Sequence, residues 1–383
     1  MAVRKVGTSR IVREIGRGGM AVVYEAFQEA LDRRVAVKVL DAGQARSKEA
    51  TERFLREGRA YAHLHHASVL AVYDLIEKDD ALYLVTEFVD GADLHQVVQA
   101  GGALPPDGVA AVGAQVADAL EFIHARALFH RDVKPANVMI SREGDVKVMD
   151  FGIARDPLAA QLTSTGVVVG TPAYVAPEVL CGDEADERSE VWSLGISLYE
   201  LATGVLPFQA KDFNALFAQV RKARPRRVRD LSPRVPRRLA KAIERCIEKN
   251  PEARWQTAGA LARELRACAS ALLGDVLPHE RLAALLVERG LGGKEPVGPT
   301  ETVDLVETTG SAAPSTGATR EPVPATSEVV AAGIPERRRG RWILVLLLLA
   351  AAGVAAWNFG RWSELLLAPL EQVRRAGQGP AAR

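Results

Sequence analysis

The strongest pattern in the chain consists of two short runs, HRDVKPAN at residues 130–137 and DFG at residues 150–152. Residues 138–149, between them, read as a strand, a tight turn with a glycine and a second strand, which is the pattern of a β-hairpin. Because the turn lies midway between Asn137 and Asp150, the hairpin is expected to bring their side chains together at its open end. An amide oxygen beside a carboxylate suits Mg²⁺, which takes a few protein oxygens together with phosphates and water.

Asp132 brings a third oxygen-bearing group to the same place, which outlines a site for phosphoryl transfer. The two runs resemble the catalytic-loop and metal-loop signatures of protein kinases. Further kinase-like signatures follow in order over residues 10–270: GRGGMAVVY at 16–24, VAVK at 35–38 and APE at 176–178. DFGIAR at 150–155 and GTPAY at 170–174 most resemble the membrane-anchored bacterial branch of Hanks-type serine/threonine protein kinases.

This resemblance implies an α+β protein-kinase fold with two lobes. The domain would span residues 10–270, with a β-rich N-lobe over about 10–87 and a helical C-lobe over about 88–270. A helical extension (271–291), a disordered linker (292–341), a transmembrane helix (342–359) and a short external tail (360–383) are expected to follow.

The glycine-rich run needs its surroundings to be interpreted. Alone it is weak, and Ala21 replaces its third glycine. A dinucleotide-binding loop would lead into a helix, whereas residues 22–27 continue as a strand, and no Walker A motif occurs. Glycines between antiparallel strands make a flap whose N–H groups approach phosphates closely. The resemblance then implies an ATP site lined by Ile15, Gly16, Gly18, Gly19, Val23, Ala36, Lys38, Glu87, Val89 and Met139, with the Glu87 and Val89 backbones at the adenine.

Residues 48–66 have helical periodicity, and Phe54, Tyr61 and Leu64 share one face. Glu57 falls on that same face, where a charge is costly unless it is paired. By the resemblance its partner is Lys38, and the ion pair would orient the ammonium toward the α and β phosphates.

The resemblance also implies a role for each residue of the catalytic loop. Asp132 would accept the proton of the incoming hydroxyl, and Lys134 would help neutralise the γ-phosphoryl group. Asn137 and Asp150 would hold Mg²⁺, with Mn²⁺ as a substitute. His130 would pack under the loop in a structural role.

The segment between the DFG and APE runs is rich in hydroxyl groups. Thr163 and Thr165 resemble autophosphorylation sites, with Arg131 positioned to pair with a loop phosphate, and the alternative is that they are plain loop hydroxyls. Thr171 would face the substrate. Two more residues are expected to form a structural ion pair between this segment and the C-lobe, Glu178 and Arg254.

Glu190 stands where the family usually has an aspartate that holds the catalytic loop. An extra methylene there would shift the loop, and a displacement of about 1 Å can cost on the order of 100-fold in rate.

Together with Ala21, Glu190 is the support for a rival interpretation, a pseudokinase or scaffold at the membrane. A small-molecule phosphotransferase is a second rival. The intact set of Lys38, Glu57, Asp132, Asn137 and Asp150 favours an active kinase, and Lys134 with Thr171 favours protein substrates.

Residues 221–238 form a basic stretch in a chain whose net charge is only +1. Three prolines interrupt it and no aromatic residue is interleaved, which argues against nucleic acid. A solvated or membrane-facing surface is the preferred interpretation, with protein docking second.

The remaining features concern the compartment. Three scattered cysteines suit a reducing cytosol, and the N-terminus lacks the apolar run of a secretory signal. The uncharged and mostly apolar run of 18 residues at 342–359 would span about 27 Å, close to the hydrocarbon thickness of a bilayer. Four arginines within residues 337–341 place the preceding kinase region on the cytoplasmic side of the inner or plasma membrane. Small-residue pairs in this run (Ala351 with Ala355, Ala352 with Ala356) favour a homodimer.

Overall fold

The computed structural model describes residues 5–17, 21–41, 58–78, 81–150 and 172–292. All described residues belong to one compact unit, within Met1–Glu307. The predicted linker from residue 293 onward, the predicted membrane helix at 342–359 and the tail at 360–383 lie outside the described residues.

The N-terminal part is a six-stranded antiparallel sheet with the order β1-β2-β3-β4-β6-β5. Its strands are β1 Lys5–Val6, β2 Ser9–Arg17, β3 Ala21–Gln28, β4 Arg33–Asp41, β5 Val72–Lys78 and β6 Ala81–Glu87. In β4, Val35 and Val37 are completely buried and form a small core with Ala26 and Val85. The alternation of buried and exposed positions along β4 is that of a strand with one face on a core. The strand predicted over residues 22–27 is confirmed by β3.

The C-terminal part is mainly helical. Its helices are α1 Leu94–Gly101, α2 Pro106–His124, α3 Pro177–Leu180, α4 Glu187–Thr203, α5 Phe213–Lys222, α6 Val228–Leu231, α7 Arg237–Cys246, α8 Ala258–Leu273 and α9 Pro278–Glu288. Side-chain caps fix several starts: Asp93 and Gln96 form a capping box before α1, and Asp186 and Ser189 form one before α4. Helix α4 runs through the core, with Trp192 and Leu198 completely buried.

A second, three-stranded sheet contains the predicted hairpin. Strand β8 (Val138–Ser141) pairs antiparallel with β9 (Val146–Val148), and β7 (Gly91–Asp93) pairs with the other edge of β8. The turn between β8 and β9 requires Gly144, whose φ is +88°. The hairpin prediction is confirmed.

The two-lobed α+β architecture predicted from the sequence is thus observed in the described residues. Among these residues, none of the helices combines the length and the apolar character that crossing a membrane demands. Helix α9 packs on α2 and β8, and its Leu282, Leu285 and Leu286 are completely buried.

Candidate active site

The loop before β8 holds the carboxylate of Asp132 from two sides. Lys134 Nζ donates to Asp132 Oδ2 at 2.9 Å, and Asn137 Nδ2 donates to the same oxygen at 2.7 Å. The backbone is strained here, because Arg131 has a φ of +64° and Asp150 a φ of +56°, both outside the range that non-glycine residues favour. Such strain persists only where the surroundings enforce one conformation, which suits a positioning site.

The hairpin brings Asn137 and Asp150 to one end of β8 and β9, as its pattern predicts. The N–H of Met149, next to Asp150, donates to the Asn137 carbonyl at 2.9 Å. The Asn137 amide nitrogen is engaged with Asp132, which leaves Asn137 Oδ1 as an acceptor. An amide oxygen and a carboxylate fit a hard divalent cation that completes its shell with phosphates and water. In the described part of the chain no cluster of three or more His, Cys, Asp or Glu residues could hold a metal by itself.

Lys38, on β4, reaches across to the hairpin end. Its Nζ donates to Asp150 Oδ1 at 2.6 Å, and its side chain is 26% exposed. Its predicted partner, Glu57, lies outside the described residues, so that pairing stays a prediction. Lys38 with Asp150, and Asn137 with Asp132, therefore form two hydrogen-bonded pairs, and the backbone bond from Met149 to Asn137 holds their segments side by side.

His130 packs against the catalytic loop and contacts both Asp132 and Met149. It is completely buried, with Nε2 at 2.9 Å from the Met149 carbonyl, and its Nδ1 accepts the Asp132 N–H at 3.2 Å. Burial lowers the pKa of His130. A neutral ring with its proton on Nε2 satisfies both contacts at once, because Nδ1 can accept only when it is unprotonated.

Glu190 lies in α4 directly behind the catalytic loop. Its Oε1 accepts the Arg131 backbone N–H, and its Oε2 lies 2.7 Å from His124 Nε2. The side chains of Glu190 and His124 are both nearly fully buried. The Glu190 carboxylate thus contacts the last residue of α2 and the catalytic loop at the same time, and it links both to α4. Sequence reasoning missed the role of His124, because nothing local connects it to a residue 66 positions away.

Three of the apolar residues proposed to line the ATP site lie on neighbouring strands of the N-terminal sheet. Val23 on β3 opposes Lys38, Ala36 on β4 opposes Thr86, and Ile15 on β2 is 41% exposed. Met139 lies on β8 in the other sheet and opposes Lys147 on β9. None of the four is fully buried, as befits apolar residues around a ligand. Gly16 opposes Val23, whereas Gly18 and Gly19 lie outside the described residues.

Glu87 ends β6 at the junction of the lobes. Its backbone N–H donates to the Ala71 carbonyl at 2.9 Å, so only its carbonyl remains for a base, and that oxygen also accepts the Thr86 hydroxyl at 3.2 Å. The Glu87 side chain binds Lys147 of β9 at 2.9 Å. Sequence reasoning missed Lys147, and only its position in the second strand of the hairpin hints at a role. Val89 follows in the same connection.

The predicted pair of Glu178 and Arg254 is formed with two parallel bonds, at 2.6 and 2.8 Å. Arg254 is completely buried and also donates to the carbonyls of Glu248 and Arg188. A buried guanidinium with all these acceptors is well compensated. Thr163, Thr165 and Thr171 lie outside the described residues.

Comparisons with known proteins agree with this geometry. Residues 9–265 match the family model described as a protein kinase domain. The serine/threonine-protein kinase PknL of Mycobacterium bovis is 35% identical over 374 residues, which cover 91% of this chain and 92% of that protein. PknB of Mycobacterium leprae is 41% identical over 256 residues, covering 66% of this chain and 41% of that protein.

Solved structures give the same result. The kinase domain of PknI from Mycobacterium tuberculosis has a TM-score of 0.58 at 28% identity, covering 70% of this chain and 99% of that chain. Rad53, solved in complex with AMP-PNP, has a TM-score of 0.57 at 28% identity, covering 67% of this chain and 64% of that chain.

Proposed function

The chain belongs to the protein kinase family as a bacterial Hanks-type serine/threonine protein kinase, and on that premise we propose that it transfers the γ-phosphoryl group of Mg-ATP to protein hydroxyls. The observation that carries the proposal is the pair of hydrogen-bonded carboxylates at the lobe junction. Asp132 is held by Lys134 and Asn137, and Asp150 is held by Lys38.

In this reaction the hydroxyl oxygen of the acceptor forms a bond to the γ-phosphorus, and the bond from that phosphorus to the bridging oxygen of ADP breaks. Asp132 takes the hydroxyl proton and orients the nucleophile. Lys134, 2.9 Å from the Asp132 carboxylate, neutralises charge on the transferring group, and Lys38 holds the nucleotide phosphates. A divalent cation held by Asn137 and Asp150 would neutralise the phosphates.

The test is to incubate the full-length chain with Mg-ATP and a generic protein acceptor, and to map phosphate by mass spectrometry. Asp132→Asn is expected to lose at least about 1,000-fold in rate while it still binds ATP, because the proton acceptor is gone. Asp145→Asn is the matched control, since Asp145 is exposed at the far end of the hairpin. A wild-type chain that binds ATP and phosphorylates nothing would favour the pseudokinase alternative.

We also propose activation by autophosphorylation at Thr163 or Thr165, through pairing of the phosphate with Arg131. The same mass spectra test it. Phosphate at either threonine in the wild type and in Asp145→Asn, but not in Asp132→Asn, is expected. Phosphate on the acceptor protein alone would leave the kinase reaction standing and contradict self-activation.

Residues 342–359 are further proposed to anchor the chain as a single-pass protein of the inner or plasma membrane, with the kinase region in the cytoplasm and self-association through the alanine pairs. The support is the length of the apolar run and the arginines before it. Expressed in bacteria, the full chain should resist extraction from membranes by alkaline carbonate, and deletion of 342–359 should release it. Release of the full chain by carbonate would contradict the anchor.

A further inference from the structure

One segment of the C-lobe carries a strong excess of positive charge. It lies far along the chain from Asp132 and Asp150. Residues 221–241 carry ten Lys and Arg residues against one acidic residue, Asp230, in a chain whose total net charge is +1. All ten basic residues are exposed. We call these ten residues the basic face: Arg221, Lys222, Arg224, Arg226, Arg227, Arg229, Arg234, Arg237, Arg238 and Lys241.

Few of these charges are neutralised by the protein. Arg238 binds Glu264 at 2.6 Å, and Arg229 uses its Nε on the Val235 carbonyl. Across the ranges that the structure describes, the other side chains of the basic face form no ion pair with a carboxylate. A cluster of like charges repels itself, so it costs free energy in the isolated protein unless an anion offsets it.

The basic face is built on a rigid support. The Tyr199 hydroxyl donates to the Arg226 carbonyl at 2.8 Å, and Glu244 accepts the Val228 N–H at 2.9 Å. Val228 and Val235 are buried beneath the face, and the bond from Arg229 to Val235 joins its two halves. The backbone between Arg226 and Val235 is thus held in place by hydrogen bonds to α4, to α7 and within the segment itself.

We propose that the basic face binds the phosphate headgroups of an anionic lipid bilayer. Residues 221–241 contain no aromatic residue, so the stacking platform that single-stranded nucleic acid uses is missing. An anionic bilayer needs only exposed cations on one surface, and each one near the bilayer strengthens association by about fivefold. The second cationic run of the chain, at residues 337–341, directly precedes the apolar run that we propose as the anchor.

The inference does not depend on that anchor, and one experiment separates the two. The full-length chain is reconstituted with vesicles of phosphatidylcholine alone or of phosphatidylcholine with 30% phosphatidylglycerol, part of which carries a photoreactive headgroup. Flotation reports attachment to the vesicles, and mass spectrometry after illumination reports which peptides contact the headgroups.

The variant Arg224→Gln, Arg226→Gln, Arg227→Gln removes three charges, and its matched control is Lys5→Gln, Arg59→Gln, Arg263→Gln, at exposed positions outside the face. Cross-links within residues 221–241 are expected in the wild type and in the control, with at least about tenfold fewer in the variant and in 0.5 M salt. Equal melting temperatures would show that both variants fold.

Flotation without cross-links in residues 221–241, or cross-links that the variant keeps, would overturn the proposal. Cross-linking of the face to a co-purified acidic protein or nucleic acid instead of lipid would overturn it as well. A chain that floats only with the anionic vesicles, and loses this in the variant, would support the basic face and contradict the anchor.

Discussion

At the scale of single residues, Glu190 stands where the family usually has an aspartate. Its contacts in the structure show what this exchange does and how to test it. Its carboxylate spans from the Arg131 N–H to the His124 ring, so the longer side chain is matched to the spacing of α4, α2 and the loop. We expect Glu190→Asp to lower kcat by about 10- to 100-fold, because a shorter side chain cannot hold both partners and the loop shifts.

The measurement is the steady-state rate of Glu190→Asp against that of Glu184→Asp, an exchange of the same kind at an exposed position before α4. KM for ATP should change little in both. A kcat that rises in Glu190→Asp would mean that the glutamate slows this enzyme, as the sequence comparison with the family pattern suggests.

His130 makes stability depend on pH. Its pKa is lowered by burial, so below the ordinary value of about 6.5 the unfolded chain takes up a proton more readily than the folded one. The free energy of unfolding should therefore fall with pH below about 6.5, by up to about 1.4 kcal/mol per pH unit.

Denaturant unfolding between pH 5 and 7.5 tests this. His130→Gln, which cannot titrate, should flatten the slope, whereas His63→Gln, at an exposed ring, should preserve it. An unchanged slope in His130→Gln would assign the acid sensitivity to other groups.

At the scale of elements, α9 lies beyond the residues matched by the family model, yet it is seated on the catalytic hairpin. A Cβ on Gly144 would lie 1.8 Å from the His279 carbonyl at the start of α9. Arg281 of α9 binds Asp107 of α2 at 2.8 Å, and Leu285 contributes to the core. The helix therefore packs against β8 and against the turn that joins β8 to β9.

Gly144→Ala should destabilise the protein by about 1–3 kcal/mol more than Gly182→Ala. Both glycines have positive φ, at +88° and +100°, but a Cβ on Gly182 meets nothing within 4 Å. The difference between their denaturant midpoints thus isolates the contact with α9. Equal losses would mean that α9 does not rest on the turn.

At the scale of the whole molecule, a chain of contacts runs from the N-lobe across the lobe junction to the end of the described chain. Arg34 of β4 binds Asp90 at 3.2 Å and stacks on Phe88, Arg142 binds Asp90 at 2.8 Å, and Arg142 also donates to the Gly292 carbonyl. Burial raises the pKa of Asp90, but the hydrogen bonds from Arg142 and Arg34 outweigh it and lower that pKa overall.

Asp90→Asn should raise KM for ATP by about two- to fivefold with kcat nearly constant, because partly exposed ion pairs contribute about 1 kcal/mol at most. Asp74→Asn, on the exposed edge strand β5, is the control. A kcat effect larger than the KM effect would place Asp90 in catalysis rather than in the orientation of the lobes.

The sequence by itself determined the family, the strands around Lys38 and the hairpin that joins Asn137 to Asp150. Each strand, turn and motif depends on residues close together in the chain, and the family follows from the order of several such motifs along the sequence. The tertiary structure alone decided three long-range contacts. His124 meets Glu190 from 66 positions away, Lys147 meets Glu87 from 60, and the N-terminus of α9 closes on Gly144. Local patterns do not encode such contacts, because which side chains meet depends on how helices and sheets pack once the chain has folded.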